Sequence, residues 1–380
     1  MIKKQGKTFN FSKSIIGRIT HQKKSSFEDE NCILILDEKE IKKFNNSNYS
    51  AIITNALPKN SLSSKIPILV MDDFHFLNEN DIVEITSKGV LQVLFQSNSF
   101  HNALFVTEQC NSKCLMCSQP PREIDDIDYL FKINLKILSL INSKVTLLGI
   151  TGGEPTLLNN KLSTLLAEIS NKLPESEIHI LSNGKKFCDF SFAKEIAKNC
   201  SPKMVFCIPL YSDNYLDHDY IVQARNSFNK TVQGLYNLAR LNIRIEIRIV
   251  IHNLTLVRLN NLVRYIYFNF PFVEHIALMN LENTGYTRAN KDVLDFNPKE
   301  YFETFKDAVL YLDENLMNVS LYNFPLCLIP KELWSFARKS ISDWKNIYID
   351  ECLDCSVKNE CGGLFNSAGI EFKQLIENVK

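Results

Sequence analysis

The sequence predicts an α/β protein: an open, partial (β/α)6 barrel of TIM type over residues 101–290, preceded by a small β-rich domain (1–100) and followed by a cysteine-bearing extension (291–380). Three observations carry that reading. Between Ala103 and Leu281, short apolar runs alternate six times with longer stretches of helical spacing. Glu108, Gly152, Asn183, Ser212, Asn253 and Glu282 follow those runs, at the strand ends where a parallel barrel carries its chemistry. Six units are too few to close an eight-stranded ring, so the barrel is expected to be open.

Taken in order, the first domain has apolar runs CILIL (32–36), IPILVM (66–71), DIVEIT (81–86) and VLQVLF (90–95). Ser87-Lys88-Gly89 joins the last two as a hairpin turn. Such a domain serves either as packing support for the barrel or, through an edge strand, as a peptide-recognition surface. The barrel strands are ALFVT (103–107), VTLLGIT (145–151), EIHILS (177–182), MVFCIPL (204–210), IRIEIRIVI (243–251) and HIALMNL (275–281), most of them rich in β-branched residues. Helices are expected at Tyr129–Ile141, Lys161–Leu173 and Thr231–Leu241, long enough for right-handed crossovers. Beyond residue 281 the rhythm fades into the loop NTGYTRANKD, a helix near Pro298–Leu312 and a tail with cysteines.

The 380 residues, 45 % hydrophobic and 23 % charged, have enough apolar surface for two or three packed domains and exclude a disordered chain. Lys plus Arg is 43 and Asp plus Glu is 43, so no global field draws the molecule to nucleic acid or acidic lipid. There is no membrane-length apolar run, and MIKKQGKTFNFSKSIIG lacks the apolar stretch of a signal peptide; a cytoplasmic protein is expected. The 11 cysteines are an odd number, too sparse for a disulfide scaffold, and seven of them fall into two groups.

Cys110, Cys114 and Cys117 are spaced by three and two residues in one loop after the first barrel strand. Three such thiolates can hold three corners of a four-iron cluster and leave the fourth iron open to a substrate or cofactor. Structural zinc needs a fourth ligand, and the nearest histidine, His101, precedes the strand. Thr151-Gly152-Gly153-Glu154-Pro155 follows the second strand; its glycines permit close backbone approach, and Glu154 offers a carboxylate to an ammonium. Ser182-Asn183-Gly184 follows the third. After the fourth come Pro209, Tyr211, Asp213, His218 and Asp219, with His218 more naturally a structural loop histidine than a catalyst. Arg248, inside the fifth strand, needs a carboxylate, either an ion-pair neighbour such as Glu246 or one on a ligand. In the tail, Cys327, Cys352, Cys355 and Cys361 form a set of four, equally suited by spacing to a closed cluster or to zinc.

These residues resemble the radical S-adenosylmethionine (SAM) superfamily, whose hallmark is three cysteines at this spacing after the first strand of a partial barrel. The resemblance implies a [4Fe–4S] cluster on Cys110, Cys114 and Cys117, and SAM bound near Gly152, Gly153, Glu154, Ser182 and Asn183. Met116 stands where relatives carry an aromatic residue beside the adenine, and Pro209 where many place a SAM-binding serine. The tail resembles the SPASM or shorter twitch extension of peptide-modifying members, implying an auxiliary cluster, with zinc as the alternative.

More narrowly, TEQCNSKCLMCSQPPR (107–122), SISDWKN (340–346) and CLDCSVKNECGGLF (352–365) resemble the radical SAM maturases of the His-Xaa-Ser repeat system, the HxsC family, over roughly residues 80–370. That family implies a ribosomally made peptide or protein substrate, a partner radical SAM maturase, an external electron donor and a post-translational modification as product. Two other readings stay open at this level: the same chemistry on a small molecule or tRNA nucleoside, and a zinc-bearing, non-enzymatic peptide-binding scaffold.

Overall fold

A computed structural model describes residues 2–22, 30–41, 44, 49–56, 66–142, 144–339 and 345–380. The chain divides into two compact units: Met1–Leu104 with Asp128–Leu148 and Asn171–Ser176, and Phe105–Ile127 with Gly149–Ser170 and Glu177–Lys380.

The first unit is built on strands β1 (Lys3–Gln5), β2 (Lys7–Phe9), β3 (Ile15–Thr20), β4 (Cys32–Leu36), β5 (Ala51–Thr54), β6 (Ile68–Val70), β7 (Ile82–Ile85) and β8 (Val90–Phe95). They form one sheet in the order β1-β8-β7-β3-β4-β5-β6-β2. Its centre, β3 to β6, is parallel, and the flanking pairs are antiparallel. The period-2 rule explains why CILIL is apolar throughout. Ile33 and Ile35 join a buried cluster with Ile19, Ile53 and Val83, while Cys32, Leu34 and Leu36 join another with Ile52 and Ile68. The β7–β8 hairpin turns at Ser87-Lys88-Gly89, where Gly89 takes φ +84°.

The second sheet contains β9 (His101–Phe105), β10 (Leu147–Thr151), β11 (Glu177–Leu181), β12 (Met204–Pro209), β13 (Arg244–Ile251), β14 (His275–Asn280), β15 (Val319–Tyr322) and β16 (Ala337–Arg338), arranged in chain order. From β11 to β16 each neighbour is parallel to the next, and the edge strands β9 and β16 do not pair with each other, so the sheet is open.

All six expected strands are present, but the sheet has eight, not six. The β/α rhythm does not stop at residue 281: the helix Phe302–Glu314 leads into β15, and β16 follows. VSLY is only four residues long and β16 only two, too short to register as periodic runs in sequence. The expected helices appear as Ile127–Leu140, Asn160–Lys172 and Ser227–Arg240. In the second unit their apolar stripes are buried, with Leu162, Leu165, Leu166, Leu235 and Leu238 at most 1 % exposed.

Residues after β15 are loop-rich, with the short pair β17 (Asn346–Ile347) and β18 (Leu364–Phe365) and the single-turn helix Ile370–Lys373. Of the segment SISDWKN, Ser340–Trp344 lie outside the described residues. Among the described residues no helix is long and apolar enough to cross a membrane.

Candidate functional site: a clamped cysteine loop

The loop carrying Cys110, Cys114 and Cys117 leaves the sheet just after β9 and is fixed at its base by a carboxylate. Asp126 accepts from Thr107 Oγ1 (2.7 Å) and from the Glu108 backbone N–H (2.7 Å), closing residues 107–126 into a ring. Gln109 Nε2 donates to Ile124 O at 2.6 Å within that ring.

The Gly-Gly-Glu turn after β10 then lies on the loop backbone. Gly153 N–H donates to Thr107 O (2.7 Å) and Glu154 N–H to Gln109 O (2.8 Å). A Cβ on Gly153 would lie 2.0 Å from Gln109 O, so only glycine fits there. The close approach expected of these glycines is therefore made to the cysteine loop itself.

Glu154 is fully buried. Its Oε1 accepts from Thr156 N–H (2.9 Å), Thr156 Oγ1 (2.6 Å) and Ser182 Oγ (2.7 Å), and its Oε2 accepts from Asn183 N–H (2.7 Å). One carboxylate thus ties the turn after β10 to Ser182-Asn183-Gly184 after β11. Asn183 Nδ2 reaches Asn111 Oδ1 (2.7 Å), and the buried Lys185 ammonium donates to Asn111 O and Ser112 Oγ, each at 2.7 Å.

From the opposite side, Lys113 and Leu115 N–H groups donate to Val222 O and Ile221 O. The segment 284–290 takes three consecutive carbonyls: Asn290 Nδ2 donates to Leu115 O (2.9 Å), Thr287 Oγ1 to Met116 O (3.3 Å) and Tyr286 N–H to Cys117 O (2.8 Å). Gly285, at φ +56°, makes this possible; a Cβ there would sit 2.3 Å from Cys117 O. In sequence, NTGYTRANKD has only the pattern of a loop. Its one legible signal was the Thr-Gly-Tyr-Thr turn shortly after a strand end.

The three thiols are partly buried and within electrostatic reach of one another. Burial, with the nearby Glu154 carboxylate, pushes the Cys110 thiol up to about 11, and burial with Cys117 and Cys110 pushes Cys114 up to about 12. Burial also raises Cys117. The Lys185 ammonium opposes the rise at both Cys110 and Cys114. Three soft donors on a pinned loop beside a buried cation fit an iron–sulfur cluster, which needs thiolates at three corners and some compensation of their charge. Met116 is buried with Tyr211, Ile221, Val222 and Leu294.

The other predicted residues have internal partners. His218 Nδ1 accepts from Tyr211 N–H (3.2 Å), and burial lowers its pKa to about 4, so it is a neutral structural group. Asp213 makes a two-pronged pair with Arg258 (2.6 and 2.6 Å), and Asp219 accepts from Phe228 N–H (2.8 Å). Arg248 pairs with Glu246 (2.5 Å), whose other oxygen meets His275 Nδ1 (2.7 Å). The strand neighbour Glu246 is thus a partner of Arg248 within the chain itself. Ligand atoms of His179, Cys207 and Glu246 also converge within 4.8 Å, a grouping that alternate polar residues on β11 to β13 could have signalled. Arg248 lies against this trio, with Nη2 3.5 Å from His179 Nδ1, and supplies the cation itself.

The four tail thiols are neighbours within electrostatic reach, though not converged within 4.8 Å as His179, Cys207 and Glu246 are. Cys327 is within electrostatic reach of Cys361 and Cys352, and Cys352 of Cys361 and Cys355. The buried Cys361 Sγ accepts backbone N–H groups of Leu326 and Gly363, both at 3.3 Å, as metal-bound thiolates do. Cys32, Cys188, Cys200 and Cys207 stand outside both sets.

No curated protein matches the chain. Solved structures with a similar arrangement include SuiB from Streptococcus suis bound to S-adenosylmethionine (17 % identity, 59 % of this chain and 51 % of that one, TM-score 0.47). Native anSMEcpe with bound AdoMet is similar at 18 % identity over 58 % of this chain and 63 % of that one, TM-score 0.46. A radical SAM methyltransferase from Sphaerobacter thermophilus follows at 10 % over 70 % and 82 %, TM-score 0.43. The chain spans about half the length of SuiB. Residues 100–227, holding the cysteine loop and the turns after β10 and β11 that pack on it, match the sequence family described as a 4Fe–4S single cluster domain.

Proposed function

We propose that this chain is a radical SAM enzyme that modifies a peptide or protein. The observation that carries the reading is the cysteine loop: three thiols on one strand-end loop, clamped by the Gly-Gly-Glu turn, inside the region matching a single-cluster 4Fe–4S family.

On this reading Cys110, Cys114 and Cys117 hold a [4Fe–4S] cluster whose open iron takes SAM. With reductant, the bound cluster and SAM would together supply a 5′-deoxyadenosyl radical that abstracts a substrate hydrogen. The chain's own task is to hold and to shield. Asp126, Gly153 and the 284–290 segment fix the loop, and Lys185 offsets thiolate charge. Oε2 of Glu154 accepts one hydrogen bond from the protein and so keeps lone-pair capacity toward the SAM ammonium, with Gly152, Ser182 and Asn183 around it; because the side chain is fully buried, a path to it has to open when SAM binds. Met116 supplies apolar surface near the adenine.

The tail set of Cys327, Cys352, Cys355 and Cys361 is read as an auxiliary cluster of twitch type, with zinc as the alternative occupant. Two backbone N–H groups on Cys361 Sγ support a metal-bound thiolate there under either reading. The substrate reading follows the HxsC-like motifs: a repeat-bearing ribosomal peptide, a partner maturase, an external electron donor and a cytoplasmic setting. The three-part organisation 1–100, 101–290 and 291–380 belongs to the same proposal.

Anaerobic reconstitution, with iron and sulfide counted per chain and 5′-deoxyadenosine measured under reductant, tests the whole. About eight irons with deoxyadenosine release is the expected result. About four irons plus zinc makes the tail structural, and absence of iron overturns the mechanism.

A further inference from the structure

A cavity of about 440 Å³ lies at the C-terminal ends of β13 and β14, in the size range of ligand pockets. One wall is Asn253 and Asn280 at the strand ends; a second is the segment 283–301; the third is the tail after Cys361, including Phe365, Gly369 and Phe372. The loop that contributes Asn283 is the loop that takes the Cys117 carbonyl three residues later, and the third wall begins four residues after Cys361. Whatever fills the cavity therefore touches the segments that carry or clamp both thiol sets.

The lining has a definite chemistry. Phe296, Phe365, Phe372 and Tyr301 give an apolar floor; of the four lining asparagines, Asn280 and Asn297 use both ends of their carboxamides within the protein, which leaves the Asn283 carboxamide and the Asn253 NH2 group to pair with a peptide unit. Tyr301 Oη donates to Asn253 Oδ1 (3.2 Å), which orients the Asn253 NH2 group as a fixed donor. The charged lining residues are Asp295, Glu300 and Glu371 against the single cation Lys291. Lys291 is already engaged by Glu371 and by Asp295 (3.4 Å). Glu300 accepts one hydrogen bond at Oε1 from Asn297 Nδ2 (3.2 Å), which leaves Oε2 as an anionic acceptor. The cavity is thus net negative, with aromatic walls and carboxamide groups of Asn283 and Asn253 open to a ligand.

We infer that this cavity is the substrate cleft, that it takes an extended peptide, and that it selects a basic or imidazole side chain through Glu300. The inference rests on the peptide-modifying reading above and adds the side-chain class. Asn283 and the Asn253 NH2 group bind the peptide backbone whatever its sequence; Glu300 discriminates by charge.

The test uses the purified full chain and three N-acetylated, C-amidated pentapeptides Gly-Gly-X-Gly-Gly with X as Lys, His or Asp. Binding is followed at pH 6 by saturation-transfer NMR, which reads affinities into the millimolar range. The Lys and His peptides should bind at least tenfold more tightly than the Asp peptide. Glu300→Gln should bring the three within about threefold, whereas Asn283→Ala should weaken all three alike. Neither residue is assigned to the thiol sites, so both variants should keep their iron. Equal affinities, a preference that survives Glu300→Gln, or no binding by any of the three would overturn the inference. If iron and deoxyadenosine are present while the peptides fail, only the cleft assignment falls; if iron is absent, the parent reading falls.

Discussion

Glu154→Gln keeps the shape of the side chain and removes one charge and one acceptor from a fully buried site. In the best pose the amide oxygen stays at Oε1 and keeps Thr156 N–H, Thr156 Oγ1 and Ser182 Oγ, which puts the new NH2 group 2.7 Å from Asn183 N–H. Donor then faces donor. The lost charge-assisted bond costs about 1.5–3 kcal/mol, and weakening the other three from charged to neutral adds about 1–2 kcal/mol, for a total of roughly 3–5 kcal/mol. In a unit of this size, each kcal/mol lowers Tm by about 2–4 °C, so a fall on the order of 10 °C is expected. Calorimetry of the iron-free protein isolates this effect from any loss of cluster. Glu154→Asp serves as a control that retains the charge but shortens the reach. A Glu154→Gln transition within about 1 °C of wild type would refute the claim that this carboxylate knots the two turns together.

Three more outcomes follow from the same geometry. Lys185→Met leaves Asn111 O and Ser112 Oγ without their donor and removes the cation beside Cys110 and Cys114; iron retained after reconstitution should fall severalfold, and Lys185→Arg should recover part of it. Gly285→Ala has no backbone room against Cys117 O and should abolish iron retention while the N-terminal unit's far-ultraviolet signal persists; a variant with normal iron content would remove the clamp from the account. Burial lowers His218 to about 4 and His252 to about 3, below the ordinary value near 6.5, so the unfolded chain takes up these protons first as pH falls. Stability is then complete above about pH 6.5 and declines toward pH 4 by about 2 kcal/mol per histidine at pH 5; urea midpoints at pH 7 and 5 should show it, and His218→Gln should remove about half the difference.

Much of the site could be read from sequence because its parts are local. Three cysteines on one loop, Gly-Gly-Glu and Ser-Asn-Gly each need only a few adjacent residues, and apolar runs placed them at successive strand ends. The unreadable parts are the long-range ones. Nothing near Cys117 indicates that Gly285 will lie against its carbonyl, and nothing near Glu154 indicates that Ser182 and Asn183 will supply two of its four donors. The strands β15 and β16 escaped because pairing with a neighbour, not intrinsic pattern, makes four and two residues into strands. The Arg248–Glu246 pair needed the structure, since Glu246 two residues away points to the same face only once the strand is formed.

The clamp on the cysteine loop also has a consequence in time. Thr287 and Asn290, which hold the carbonyls of Met116 and Leu115, lie 171 and 175 residues further along the chain. At roughly 5–20 residues per second, the ribosome delivers them about 10–35 s after the thiols emerge. Throughout that interval the nascent cysteine motif lacks its final restraint, so the loop reaches its working shape only after most of the barrel has been made. A short fragment ending before residue 284 would carry every cysteine of the motif and still lack the segment that holds it in place.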